Sequence, residues 1–467
     1  MASPRSAEMN TQAFDIAIRR ARLRGSADRY ADIGIKDGRI AAIAPRLDGG
    51  AATEIDAGGN LVTESFVNPH LHLCKVWTLP MMEEEALRAY QGEGMSKALS
   101  GIELASKIKE KYAEGWIVEN ARRAVALAAL HGNLHIRAFA DVDAKARLEG
   151  VKALLRVRDE FRGVVDLQVV AFAQDGMVRE PGSAELMQQA MALGADVVGG
   201  IPWVELTNDD AAAHIRTCFD LAQEFNKDVS MLLDDAGDPD LRTLEMMAVE
   251  AIKRGWQGRA LAHHCRAMSL YPTPYVQRLA RLLRTAGVAV VTDPHTGPLH
   301  ARVKELRAEG VRLCLGQDDI SDAYYTFGRN NMLEVAFLAA HLLWMMTRQD
   351  VAALYDMITV KPANAINLDG FGLSVGAPAN LVVLDQTDEV EALRYHGPPA
   401  HVITHGSGLM RRRCRQSLLR APGRRDMEQR TRKRADRREF YARSRSHCCC
   451  CARPLGGGSA GLCATND

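Results

Sequence analysis

The sequence lacks the features that mark a secreted or membrane protein. Cysteine is scarce in the first 410 residues, where Cys74, Cys218, Cys265 and Cys314 are scattered without the spacing of a disulfide framework. No apolar run reaches the ~18 residues that a membrane helix needs. The opening residues lack the apolar core of a signal peptide. These absences predict a protein of the reducing cytoplasm with no membrane partner.

A strong net charge is also absent, but the average of +1 conceals two different parts. Residues 411–467 hold 16 Lys and Arg against 5 Asp and Glu, whereas residues 1–410 hold 43 against 53. The mildly acidic body gives no reason to expect nucleic acid as a partner. The basic stretch holds six of the ten cysteines and could contact nucleic acid or acidic lipid. Because it offers no core pattern, we expect a disordered tail instead.

What the chain does have is a long body of ordinary globular composition, 47% hydrophobic, with a repeated pattern. Residues 61–364 contain eight apolar runs that alternate with segments of helical periodicity, such as 183–194 and 273–287. Eight βα units predict an α/β fold whose parallel strands close into a (β/α)8 TIM-like barrel. Strand-like alternation in residues 1–60 and again in 365–410 predicts a small β-sandwich subdomain built from both flanks.

Histidine and aspartate stand where three of these runs end. His70 and His72 are two apart on a predicted strand, so both imidazoles point to one face and could bind one metal ion. Asp318 and Asp319 end the eighth run, where one carboxylate could bind the metal and take the proton of its water. A helix cap or a solvated turn is the alternative for this pair. His264 ends the sixth run and is a candidate ligand, or a residue that orients the water or polarises the bond.

Six segments extend the pattern into a family resemblance. In order and at similar spacing they resemble the cytosine deaminase branch of the amidohydrolase superfamily, over roughly residues 12–407: FVNPHLHL, GNLHIRAFADVD, LQVVAFAQDGM, ADVVGGIPWVE, LAHHCRAM and LGQDDISDAYYTFGRNNML. The resemblance implies a metal-dependent hydrolase of C–N bonds in a small nitrogen heterocycle or amide. It also implies one divalent metal ion (zinc, iron, manganese or cobalt), a small-molecule substrate and a homo-oligomer.

The resemblance implies a role for individual residues. His70, His72 and Asp318 match metal ligands, and Asp318 also matches the residue that handles protons. His264 matches the histidine beside the nucleophile and could complete a four-coordinate metal shell. Asp235 stands in place of a proton-shuttling glutamate, one methylene shorter.

The same resemblance implies three substrate-binding residues. Gln174 matches a glutamine that hydrogen-bonds the ring, Asp319 a carboxylate of the same pocket, and Tyr324 an aromatic residue near the substrate. Lys75 matches a lysine of relatives that act on N-alkyl triazines, and Cys74 replaces the aspartate that commonly precedes that lysine.

Other positions depart from the family pattern. Leu232 stands where the fifth strand should supply a ligand histidine, Phe139 replaces a second-strand histidine, and Gln317 replaces the histidine before the aspartate pair. Losing one ligand predicts weaker metal affinity. Two alternatives to heterocycle deamination therefore stay open: hydrolysis of a carbamate, thiocarbamate or N-alkylamino substituent, and a catalytically silent barrel that serves as a binding protein.

The remaining histidines have structural interpretations. His263 should point away from His264 and pack in the core. His214 lies in the helical segment AAAHIRTCFDLAQ, and we expect it on the outer side of that helix. His295 and His300 follow the seventh run, and we expect loop positions for both.

Overall fold

The computed structural model of the protein describes residues 13–25, 29–82, 99, 102–103 and 106–408. The predicted disordered tail at 411–467 lies outside the described residues. Within them, no helix combines the length and the apolar character needed to cross a membrane.

The strands alternate with helices along the described part of the chain. The strands are β1 (Phe14–Arg22), β2 (Tyr30–Lys36), β3 (Arg39–Ala44), β4 (Ala51–Asp56), β5 (Val62–Glu64), β6 (Phe66–Leu71), β7 (Asn133–Asp141), β8 (Asp166–Phe172), β9 (Val197–Gly200), β10 (Asp228–Leu233), β11 (Ala260–His264), β12 (Ala289–Thr292), β13 (Leu313–Leu315), β14 (Leu381–Val383), β15 (His401–Thr404) and β16 (Ser407–Gly408). The α-helices are α1 (Glu114–Leu130), α2 (Glu149–Glu160), α3 (Ser183–Ala192), α4 (Asn208–Phe225), α5 (Thr243–Lys253), α6 (Thr273–Thr285), α7 (Val303–Ala308), α8 (Met332–Leu342), α9 (Arg348–Asp356), α10 (Val360–Ala365) and α11 (Glu389–Tyr395). Short 3-10 turns occupy Leu79–Met81, Lys107–Lys111, Pro202–Val204, Arg266–Leu270 and Pro294–Thr296.

Strands β6 to β13 form one parallel sheet in which every strand pairs with its neighbours in sequence. The sheet closes where the backbone N–H of Asp318 donates to the carbonyl oxygen of His70 at 2.9 Å. The N–H of His72 donates in turn to the carbonyl of Asp318 at 2.8 Å. This closure confirms the predicted eight-stranded (β/α)8 barrel. It also places the first and eighth strand ends side by side.

The barrel strands have apolar sequences because both of their faces are covered. All nine residues of β7 are buried, as are all six of β6. Helix α6 shows how the outer layer is held: its apolar side chains recur at i, i+3, i+4 and i+7 (Val276, Leu279, Ala280 and Leu283), and all four are buried against the barrel. Burial of such a side chain contributes about 1.5–3 kcal/mol.

The two chain flanks build a pair of four-stranded sheets. One has the order β3-β2-β1-β4 and the other β16-β15-β14-β5. Ile18 and Ile33 of the first sheet share one buried cluster with Leu381 and Ile403 of the second, so the sheets pack face to face. The predicted β-sandwich from both ends of the chain is confirmed, with β5 as the strand that leads from it into the barrel.

Candidate active site

Four predicted residues meet at the carboxyl end of the barrel. The Nε2 atoms of His70, His72 and His264 lie 2.9, 3.7 and 3.9 Å from one oxygen, Oδ1 of Asp318. All four residues are buried. Because β6 and β13 are joined by barrel closure and β11 ends at the same level, residues up to 248 positions apart come into contact.

The backbone turns sharply at two of these positions. His264 has φ +64° and Asp318 has φ +66°, both in the left-handed region that side-chain-bearing residues rarely adopt. Such a conformation costs on the order of 1 kcal/mol or more and persists where the surroundings enforce it. At both strand ends it aims the side chain into the barrel mouth.

The protonation of the cluster follows from its burial. Burial lowers the pKa of His70, His72 and His264 below the ordinary histidine value. Burial opposes ionisation of Asp318 as well, but its charge interaction with His264 and its hydrogen bond with His70 outweigh burial and hold the pKa of this carboxyl well below its usual range. The cluster thus sets one carboxylate among three imidazoles.

Asp293, at the end of β12, fixes the orientation of one ring. His264 Nδ1 donates to Asp293 Oδ2 at 2.6 Å, so the lone pair of the neutral ring lies on Nε2 and faces Asp318. The potential ligand atoms of His70, His264, Asp293 and Asp318 all lie within 4.8 Å of one another. A carboxylate behind a ligating histidine is the usual second layer of a metal site. The donor set therefore fits a divalent metal ion.

An apolar wall faces these donors. Leu232 and Phe139, which stand where the family resemblance places histidines, share one buried cluster with Phe172 and Ile201. The ring of Phe139 lies 4.6 Å from the ring of His70, centroid to centroid. At these positions the second, third, fourth and fifth strands thus place packing side chains, not metal-ligand types, against the cluster.

Arg266 is a residue of this site that the sequence reasoning missed. Its guanidinium is buried, donates to a carboxylate oxygen of Asp235 and donates to Asp293 Oδ2 at 3.2 Å. It also lies 3.7 Å from Asp318 Oδ2. Asp293 was missed too, although it ends the seventh run as other site residues end theirs. For Arg266 the available signal was its place two residues after His264.

A small cavity opens beside the histidine cluster. Its lining contains all the predicted substrate-binding residues (Gln174, Asp319 and Tyr324) together with Asp235, His72, His264 and Asp318. The structure therefore brings the predicted residues into one site. Asp235 differs from its expected setting, because its carboxylate is paired with Arg266 and lies 3.8 Å from His264 Nε2.

The other histidines occupy varied positions. His263 is buried, with its ring 4.5 Å from that of His70. The expectation that His214 lies on the outer side of its helix is wrong: its side chain is fully buried and donates from Nδ1 to Glu205 at 2.6 Å. In α4 it belongs to the buried stripe of Ala211, Ile215 and Cys218, a periodicity that the sequence already contains.

The fold and the site together define a barrel of the amidohydrolase type. The chain belongs to the amidohydrolase family, whose sequence profile matches residues 53–407.

Individual relatives agree with this membership. The chain is 29% identical over 405 residues to the N-isopropylammelide isopropyl amidohydrolase of Pseudomonas sp. strain ADP, covering 84% of this chain and 96% of that protein. It is similar to a crystal structure of 5-methylcytosine deaminase from Klebsiella pneumoniae with 5-fluorocytosine, at 31% identity and a TM-score of 0.77 over 84% of this chain and 97% of that one. The N-isopropylammelide isopropylaminohydrolase of Burkholderia multivorans has 25% identity and a TM-score of 0.75 over 84% and 97%. These comparisons confirm the predicted branch and the predicted class, a hydrolase of C–N bonds other than peptide bonds.

Proposed function

We propose that this chain is a metal-dependent hydrolase that releases an amine from a small nitrogen heterocycle by attack of water. One observation carries the proposal: the Nε2 atoms of three imidazoles and the Asp318 carboxylate converge beside a cavity that Gln174, Asp319 and Tyr324 also line. Similarity to a 5-methylcytosine deaminase and to an N-isopropylammelide isopropyl amidohydrolase supports this substrate class.

We assign the metal to Nε2 of His70, His72 and His264 and to Oδ1 of Asp318. Asp293 supports the choice of His264 as a ligand. Its carboxylate accepts the hydrogen of His264 Nδ1, so the lone pair of Nε2 is available to a metal ion. When bound there, a divalent metal lowers the pKa of a water molecule and polarises the bond under attack. Zinc, iron, manganese and cobalt all accept this set of nitrogen and oxygen ligands.

The proton steps are assigned to this chain's carboxylates. Asp318 would accept the proton of the attacking water at Oδ2 and pass it to the leaving amine. Burial raises the pKa of Asp235, and the paired guanidinium of Arg266 opposes that rise. The ionised form of Asp235 would serve as an acceptor for a ring N–H. Gln174, Asp319 and Tyr324 would hold the ring in the cavity.

A second candidate is removal of an N-alkylamino substituent. The apolar side chains of Ile102, Ile201 and Leu232 line the same cavity and could accept an alkyl group. Removal of such a leaving group depends less on shuttling a proton to a ring nitrogen. The pairing of Asp235 with Arg266 disfavours that shuttle.

Cytoplasmic location and homo-oligomerisation accompany the proposal. The four cysteines of the described residues are free and buried, which suits a reducing compartment. Light scattering during size-exclusion chromatography would measure the oligomeric state.

A substrate panel with added metals tests the function. The purified protein, reconstituted with zinc, iron, manganese or cobalt, is given heterocycles bearing an amino group or an N-isopropylamino group at the same ring carbon. Release of ammonia or isopropylamine is measured beside elemental analysis. We expect one metal per chain and release from at least one series. A protein that takes up no metal and releases no amine would be the catalytically silent barrel instead.

A further inference from the structure

A buried lysine lies against one wall of the cavity. Lys75 follows β6, and its side chain is only 5% exposed. Its ammonium group donates to Oε1 of Gln174 and lies 4.9 Å from the ring centre of Tyr324. The third neighbour is the carboxylate of Asp141, at 3.5 Å. The ammonium group thus donates to a carbonyl-type oxygen, faces an aromatic ring and forms an ion pair with a carboxylate.

These contacts determine how the Gln174 amide is oriented. An ammonium group can only donate, so the atom of Gln174 that faces Lys75 must be the oxygen. On the other side, Gln174 Nε2 donates to the hydroxyl of Tyr324 at 3.1 Å. The oxygen is therefore engaged by a cation. The amide nitrogen keeps a second hydrogen for the cavity that Gln174 lines.

The lysine is itself held in place and kept charged. Asp141 is fully buried and accepts a hydrogen bond from Tyr112 at 2.9 Å, which fixes the carboxylate. Burial alone would lower the pKa of Lys75, but the nearby acidic groups, Asp141 first among them, outweigh burial and raise that pKa above the usual lysine value. Reversing the Gln174 amide would place an N–H against this cation, which low-dielectric surroundings penalise strongly.

We propose that Lys75 is a specificity-determining positioning residue, which fixes the Gln174 amide so that the cavity selects ligands with a hydrogen-bond acceptor at that edge. A ring carbonyl is such an acceptor, whereas an exocyclic amino group at the same position would set donor against donor. The assignment of the ligand as a heterocycle rests on the proposed function.

Two non-hydrolysable ligands test this inference. 4-Methylpyrimidin-2(1H)-one and 2-amino-4-methylpyrimidine share a six-membered ring and carry methyl in place of a leaving amine. They differ in a carbonyl against an amino group and in one ring N–H, and the change of their affinity ratio on substitution of Lys75 isolates the first difference. Calorimetry on the metal-loaded full chain gives the ratio of their dissociation constants. We expect the unsubstituted protein to favour the carbonyl ligand by roughly tenfold or more, because the amino ligand leaves a buried donor unpaired.

Lys75→Met should abolish that preference, since the amide is then free to reverse. Lys109→Met is the matched control. Lys109 is equally buried, but its recorded partners among the described residues are Asp143 and Asp175, at 2.7 and 2.6 Å. This control loses a buried cation and should keep the ligand ratio. If Lys75→Met does not fold, Gln174→Glu replaces it, because the carboxylate still pairs with Lys75 but offers no N–H and should reverse the preference.

The inference is overturned if the unsubstituted protein shows no carbonyl preference, or if Lys75→Met and Gln174→Glu both retain it. Binding of neither ligand also counts against it. Preference for the carbonyl ligand without turnover of any panel substrate would instead remove the proposed function and leave the role of Lys75 intact.

Discussion

The two halves of the barrel mouth place different side chains against His70. On one half, the ends of β6, β11, β12 and β13 carry His70, His264, Asp293 and Asp318, linked at 2.6 to 3.9 Å. On the other half, β7 to β10 place the apolar wall of Phe139, Phe172, Ile201 and Leu232 there, and their polar neighbours Gln174 and Asp235 line the cavity instead. Within the described residues the proposed metal ligands all come from the first half.

The difference shows that the departures from the family pattern are not independent. Leu232 and Phe139 replace histidines on separate strands, yet they pack into one buried cluster. Two isolated histidines in that cluster would each need a partner for their ring nitrogens. Replacing them together leaves a coherent apolar surface against the retained ligands. It would also leave the proposed metal held from one direction only.

Substitution within the polar half should have the largest effect. Asp318→Asn keeps the size of the side chain but removes the charge on which three imidazoles converge. We expect metal loss and a fall in turnover of roughly 10³-fold, because such a metal contributes several kcal/mol to the reaction. Elemental analysis and the amine-release assay measure both. Retention of one metal per chain at full turnover would show that the ligands lie elsewhere.

Asp293→Asn removes support one layer behind the ligands. The amide can no longer act as a charged acceptor for His264 Nδ1 or for Arg266. Metal affinity should fall by about 10–100-fold, the usual result of changing a residue behind a ligating histidine. Competition with a fluorescent chelator measures it. Unchanged affinity in a folded variant would mean that His264 is not a ligand.

A third change would make the two halves alike. Leu232→His places an imidazole in the wall beside His264 and Asp318, with which Leu232 shares the cavity. We expect metal to be retained about tenfold longer in chelator dialysis, since an added donor strengthens a preformed site. Leu232→Met is the control, because it changes shape without adding a strong donor. Faster metal loss in Leu232→His than in Leu232→Met would contradict the one-sided site.

The sequence predicted the barrel well because barrel strands and their helices have regular periods. It also predicted the donors at strand ends, since the carboxyl ends of parallel strands meet at one edge. The orientation of neighbouring side chains was harder to foresee. The family resemblance placed Asp235 in the pocket but did not predict its pairing with Arg266. Arg266 follows the end of β11 after a left-handed turn at Cys265.

His214 shows a different limit. Its position in the buried stripe of α4 could be read from spacing alone, but a polar residue in a helix was expected to face water. Its partner, Glu205, lies in the preceding turn and accepts backbone hydrogen bonds from a third segment, at Met177 and Arg179. Contacts that depend on loop conformation are the ones that periodicity does not specify.

Glu205→Gln should have the smallest effect of these substitutions. It tests what holds the loops of the apolar half in place. The buried carboxylate accepts from Met177 N at 2.7 Å, Arg179 N at 2.8 Å and His214 Nδ1 at 2.6 Å, and Gln offers only one acceptor oxygen. We expect the free energy of unfolding to fall by about 1–3 kcal/mol at pH 7, measured by urea titration. Asp56→Asn, which breaks an exposed pair with Arg20, should cause no measurable change and serves as the control.

The pH dependence of that loss provides the decisive measurement. Burial alone would raise the pKa of Glu205, but the hydrogen bonds from His214 and the backbone lower it from 4.5 to about 2. Between these values the unfolded chain binds a proton at this residue that the folded chain does not. The stability contributed by Glu205 is therefore complete above about pH 4.5 and is lost as the pH falls towards 2. The difference in unfolding free energy between the unsubstituted protein and Glu205→Gln should shrink over pH 5 to 3. A difference that stays constant there would mean that the carboxylate charge does not hold these loops, and that the apolar half is positioned by packing alone.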